Sequence, residues 1–152
     1  MVGKELGAGA FGIVYEAVSI HMEFVCAMKI INKKNIDSID PLYSLLLPDE
    51  LAALEELDHP HIVRVFDLLE DDENVYIVSE LMDMNLKELT DIMEEKNHKF
   101  TEAQIANIFY QLTLALNYIH ASNKMHRDLK PENILINPRE PIGREDCCTK
   151  VS

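Results

Sequence analysis

The hydrophobic period changes midway along the chain, and this limits the fold more than any other feature. Through residue 81 the apolar residues gather in short, strand-like runs. Residues 6–18 place a glycine-rich turn between two such runs, and residues 24–31 form another rich in β-branched and aromatic side chains. Residues 62–69 and 75–81 make two more, joined by the acidic turn Glu70-Asp71-Asp72-Glu73. One helix signal interrupts them, with Pro48 in a first turn and Leu51, Leu54 and Leu57 on one face. Beyond the connector 82–84 the period becomes helical. Asn85 with Glu88 and Thr101 with Gln104 both read as capping boxes. Leu86, Leu89, Ile92 and Met93 follow the first; Ile105, Ile108, Phe109, Leu112, Leu116 and Ile119 follow the second. Residues 137–148 read as an exposed loop. The pattern predicts an α+β chain: an antiparallel sheet with one helix, then a helical region.

At 152 residues there is room for one domain with a real core. A net charge of −13 repels phosphate backbones and argues against nucleic acid as a partner. Leu45-Leu46-Leu47 is too short to span a membrane, and the first residues lack the apolar stretch of a secretory signal. Cys26, Cys147 and Cys148 lack zinc-site spacing, so the expectation is a reduced intracellular, cytoplasmic protein with Cys26 buried.

Three motifs carry chemistry. Leu6-Gly7-Ala8-Gly9-Ala10-Phe11-Gly12-Ile13-Val14 sets glycines where backbone amides can approach a polyphosphate without side-chain obstruction. A strand follows it, whereas a dinucleotide-binding fingerprint opens a helix; a plain hairpin turn is the other reading. Lys29 ends the apolar run Cys26-Ala27-Met28-Lys29 and needs either an anionic partner or an exit to solvent. In His126-Arg127-Asp128-Leu129-Lys130-Pro131-Glu132-Asn133, Asp128 and Asn133 offer oxygens near a metal-bound phosphate, with Lys130 neutralising charge between them. A purely structural loop has no need of that combination.

Taken together and in this order, these residues resemble the protein kinase family, Ser/Thr type, over nearly the whole chain. The resemblance implies a two-lobed fold with ATP in the cleft. Its divisions are an N-lobe at 1–79, a hinge at 80–84 and the start of a C-lobe at 85–152. Gly7, Gly9 and Gly12 would lie over the phosphates; Val14 and Ala27 would pack on the adenine, with Leu135 as its floor. Lys29 would hold the α- and β-phosphates and pair with Glu50, or with Glu55 as the alternative. Glu80 carbonyl and Met82 amide would bond the adenine edge, and Ser79 would be a small gatekeeper behind it. Asn85 would reach the ribose. Asp128 would be the catalytic base, Lys130 its charge partner and Asn133 a Mg²⁺ ligand. The implied partners are proteins bearing Ser or Thr, together with a regulatory protein. Thr149-Lys150-Val151-Ser152 resembles the strand leading into Asp-Phe-Gly, so a truncated chain is expected. A nucleotide-binding regulatory fragment without catalysis and a pure interaction module are the remaining readings.

Overall fold

The computed structural model describes residues 1–9, 12–18, 24–35, 51, 54–137 and 148–152. The chain forms two compact units, Met1–Asp58 with Arg64–Leu81, and His59–Val63 with Met82–Ser152.

The described residues of the first unit centre on a five-stranded antiparallel sheet. Its strands are β1 (Val2–Gly9), β2 (Gly12–Val18), β3 (Val25–Asn32), β4 (Val65–Glu70) and β5 (Asn74–Glu80), in the order β1-β2-β3-β5-β4. β1 is exposed along its whole length and its pairing with β2 slips twice, between Val2 and Glu5 and between Glu5 and Gly7. The core lies under the middle strands. Ile31 and Val75 are opposite each other and buried, with Leu51 and Ile77 packed against them. Cys26 is buried as expected, which raises its thiol pKa; its Sγ lies 3.4 Å from the Ala17 carbonyl. The acidic turn is exposed. Asp71 organises it by accepting the amides of Glu73 (2.8 Å) and Asn74 (2.7 Å) on one carboxylate oxygen and the Tyr76 hydroxyl (2.7 Å) on the other. These bonds hold the Asp71 carboxyl below its ordinary pKa.

The second unit is built on two helices and a three-stranded sheet, β6 (Met84–Asn85), β7 (Ile134–Asn137) and β8 (Cys148–Val151), in that order. Helix α1 spans Leu86–Glu95 and α2 spans Glu102–Ala121. Both expected capping boxes are present: Asn85 and Glu88 exchange bonds of 2.9 Å, and Thr101 and Gln104 exchange bonds of 3.2 and 2.8 Å. Such a cap is worth about 1 kcal/mol. Both helices stop at an asparagine with positive φ, Asn97 (53°) and Asn123 (56°). The next amide reaches back to close a Schellman motif, His98 to Met93 at 2.8 Å and Lys124 to Ile119 at 3.1 Å.

The stripe on α2 differs from the expected one. Ile108, Gln111, Leu112, Ala115 and Ile119 are buried, while Ile105 and Phe109 are exposed, Phe109 at 64%. The cause is β8, which packs along the helix. Fully buried Ala115 lets the backbones approach, and Gln111 Oε1 accepts the Thr149 amide at 2.8 Å. The expected loop 137–148 is also shorter at both ends, because Asn137 and Cys148 pair across β7 and β8.

Candidate functional site

In an antiparallel sheet, residues directly opposite share a face. Val14 is opposite Lys29, Lys29 is opposite Ile77, and Ala27 is opposite Ser79. Val14, Lys29, Ala27 and Ser79 therefore occupy one face of the first unit, the face that carries Ile31, Val75 and Ile77 further along. Lys29 is not at a strand end, since β3 continues to Asn32; it is half-buried in mid-strand. Ala8 and Ile13 pair one step out of phase with Gly7 and Val14 and fall on the other face; Leu6 sits in the slip between Glu5 and Gly7. Backbone donors from these residues are indifferent to side-chain face.

The three glycines are not equivalent. A Cβ on Gly12 would lie 2.2 Å from the Ile30 carbonyl oxygen, so the packing of β2 on β3 demands glycine there. Among the described residues, a Cβ on Gly7 would meet nothing within 4 Å, and one on Gly9 only the Gly12 carbonyl oxygen at 3.8 Å. Packing among the described residues does not account for glycine at those two positions. Ala10, Phe11 and Glu50 lie outside the described residues; Glu55 is exposed.

In the second unit Asp128, Lys130 and Asn133 are in mutual contact. Asp128 Oδ2 is 2.8 Å from Lys130 Nζ and accepts Asn133 Nδ2 at 2.9 Å; the same Nδ2 donates to the Asp128 carbonyl at 2.7 Å. Both partners favour the charged carboxylate. Lys130 first and Asn133 second hold the Asp128 pKa below its ordinary value, and Asp128 raises that of Lys130. Asn133 commits its side-chain nitrogen to Asp128, and its carbonyl oxygen is of the kind that ligates hard cations. The 3₁₀ turn Pro131–Asn133 sets the spacing, the Asn133 amide bonding the Lys130 carbonyl at 2.9 Å.

The backbone before Asp128 is strained. Arg127 has φ of 64°, and the Asp128 amide bonds back to the His126 carbonyl at 2.9 Å, a γ-turn of the rare positive-φ kind. Such strain persists only where neighbours over-determine it. Here His126 does so: Nδ1 faces the Asp128 amide at 3.3 Å, and Nε2 donates to the Ser152 carbonyl at 2.8 Å. The sequence reading gave His126 no role; its place beside Asp128 was the available signal. Gln111 was also missed, though a polar residue between Ile108 and Leu112 on an apolar stripe marks a buried hydrogen bond.

Met82 is buried, and Leu135 is half-buried opposite Asn85 in the β6–β7 ladder. Asn85 spends its Oδ1 on the α1 cap. Glu80 Oε1 accepts the Arg64 amide at 2.7 Å. Among the described residues no cluster of three or more His, Cys, Asp or Glu could hold a metal alone, and no helix is long and apolar enough to cross a membrane.

Comparison with known proteins decides the family, because the model of the protein kinase domain matches residues 1–143. The chain belongs to the protein kinase family. It is 41% identical over 131 residues to calcium-dependent protein kinase 5 of Plasmodium falciparum, covering 86% of this chain and 22% of that protein. Cyclin-dependent kinase 2 of Caenorhabditis elegans is 31% identical over 134 residues, covering 88% of this chain and 36% of that protein. Aurora kinase B of Drosophila melanogaster is 34% identical over 145 residues, covering 95% and 43%. The chain thus spans less than half the length of these kinases. Its α+β organisation, a five-stranded antiparallel sheet followed by helices, is that of the protein kinase fold.

Proposed function

We propose that this chain carries the nucleotide- and hydroxyl-handling groups of an ATP-dependent Ser/Thr protein kinase. The observation that supports it best is the Asp128–Lys130–Asn133 cluster, a carboxylate acceptor fixed between a cation and a carboxamide. In the proposed reaction a substrate Ser or Thr hydroxyl oxygen attacks the γ-phosphorus of ATP. The bond from that phosphorus to the β–γ bridging oxygen breaks, and ADP leaves. The hydroxyl proton passes to Asp128. A carboxyl held below its ordinary pKa is a weak base, so Asp128 serves first by orienting the hydroxyl and accepts the proton late. Lys130 balances charge between Asp128 and the transferred group.

The first unit's contribution is backbone amides around Gly7, Ala8, Gly9, Ala10 and Phe11 over the phosphates. Lys29 would hold the α- and β-phosphates with Glu50, or Glu55 as the alternative, as its proposed carboxylate partner, and Val14 and Ala27 would pack on the adenine. Glu80 carbonyl and Met82 amide read the ring edge, Leu135 supports it, and Asn85 offers its Nδ2 to the ribose. Mg²⁺ bound with the nucleotide would take the Asn133 carbonyl oxygen as a ligand and screen the phosphate charge. The polypeptide substrate supplies the acceptor hydroxyl.

Calorimetry of this chain with Mg-ATP tests the reading. Binding is expected, with at least a tenfold loss in Lys29→Met, the scale of one charge-assisted contact. A well-folded chain that binds no Mg-ATP would sink the proposal. Binding without transfer by the whole protein would turn it into a regulatory nucleotide sensor.

A further inference from the structure

We infer that Asn137 is a positioning residue for purine recognition, fixing the Met82–Asp83 peptide so that the Met82 carbonyl faces the ring. The inference rests on the nucleotide reading above. Its starting point is a side chain outside every motif of the sequence: Asn137 Oδ1 accepts the Asp83 amide at 2.9 Å.

β6 pairs with β7 through Met84 opposite Ile136 and Asn85 opposite Leu135. Asp83 comes just before that ladder, and the Asn137 side chain extends it by one more bond. Asn137 is itself held in β7, opposite Cys148 of β8, and Ile136 beside it is fully buried. The anchor is therefore part of a sheet.

A trans peptide is planar, with its N–H and C=O pointing in opposite directions. Aiming the Asp83 N–H at Asn137 aims the Met82 C=O the other way. In extended backbone the N–H and C=O of one residue point to the same side. If Met82 is extended and its amide donates to the ring nitrogen, the Met82 carbonyl meets the neighbouring carbon, the purine 2-position. An acceptor held there ignores the C–H of adenine and bonds a 2-amino group. Buried Met82 limits the linker's freedom to turn away.

The experiment compares Mg-ATP with Mg-2-amino-ATP, by calorimetry, on the wild-type chain, Asn137→Leu and Asn137→Asp. Hydrogen exchange at the Asp83 amide is read in the same proteins without ligand. The aspartate variant keeps an acceptor oxygen at the same reach, so it guards against loss of fold in the leucine variant. Wild type and Asn137→Asp should prefer the 2-amino nucleotide by roughly three- to tenfold, the scale of one net hydrogen bond. Both should protect the Asp83 amide. In Asn137→Leu the preference should fall to about one, with faster exchange. Equal preference ratios in all three proteins, or a protected Asp83 amide in the leucine variant, would overturn the assignment alone. A wild-type chain that binds neither nucleotide would overturn the nucleotide reading and this inference with it.

Discussion

The β1–β2 hairpin and the loop around Asp128 stand at opposite ends of constraint. β1 is exposed, its pairing with β2 slips twice, and at Gly7 a Cβ would meet nothing among the described residues within 4 Å. In the loop the Asp128 amide, carboxylate and carbonyl are all engaged, through His126, Lys130 and Asn133, over a strained Arg127. The difference follows from what each would handle. Backbone amides that wrap a polyphosphate need close approach and some adaptability. A single proton acceptor needs one position, because small misplacements of a reacting group cost orders of magnitude in rate. On the proposed reading, the denser hydrogen bonding falls where one atom matters.

That contrast is most exposed to test at Asp128. Asn in its place keeps the shape and the carbonyl acceptor but loses the charge. Phosphorylation by the whole protein should fall about 10²- to 10⁴-fold, the usual share of a positioned base, with Mg-ATP affinity within about twofold. A steady-state assay beside calorimetry checks both. A rate loss below about tenfold would mean that the ordered loop is architecture rather than chemistry.

The glycines sharpen the other side. Gly12→Val forces a Cβ against the Ile30 carbonyl and should cost about 3 kcal/mol or more of folding stability, as overpacking against backbone does. Gly7→Ala should leave stability within about 0.5 kcal/mol while weakening Mg-ATP severalfold. Urea unfolding and calorimetry separate the two. Similar unfolding costs at both positions would show that the hairpin is as tightly specified as the loop.

What could be read in advance follows the same division. The strands, the two capping boxes and the buried Cys26 were legible because period, cap chemistry and polarity are local. The grouping of Asp128, Lys130 and Asn133 was legible because one tight turn spans them. The orientation of α2 was not, since Phe109 and Gln111 exchange their expected roles only when β8, some 40 residues on, lays Thr149 against the helix. His126 and Asn137 escaped for the same reason: their partners, Ser152 and Asp83, are distant in sequence. The segment His59–Val63 follows the helix signal and overlaps the strand expected at 62–69, yet belongs by its contacts to the second unit, and β4 starts only at Val65.

That segment carries the smallest effect, and it asks whether order like the loop's extends to a second segment. The Val63 amide bonds the Val151 carbonyl at 2.8 Å, and the Val151 amide bonds the His61 carbonyl at 3.0 Å. His61 Nδ1 donates to the Thr149 carbonyl at 3.1 Å. His59 stacks on Tyr118 with ring centroids 5.0 Å apart, and its Nδ1 accepts the His61 amide at 3.1 Å. A proton on that nitrogen destroys the acceptor. Burial first, and the neighbouring His61 second, hold the His59 pKa below the ordinary histidine value. The unfolded chain therefore takes up the proton first as pH falls. The stability contributed by neutral His59 is present above the ordinary histidine pKa and is lost as pH drops through the lower folded value. Asp71 and Asp128, with carboxyls held below their usual range, stay ionised across pH 7.5 to 5.5 and add no slope there. Over that window the Tm should decline, and His59→Phe, which keeps the stack without the titrating nitrogen, should decline less. Parallel Tm curves for the two proteins would leave His59 as a packing residue alone.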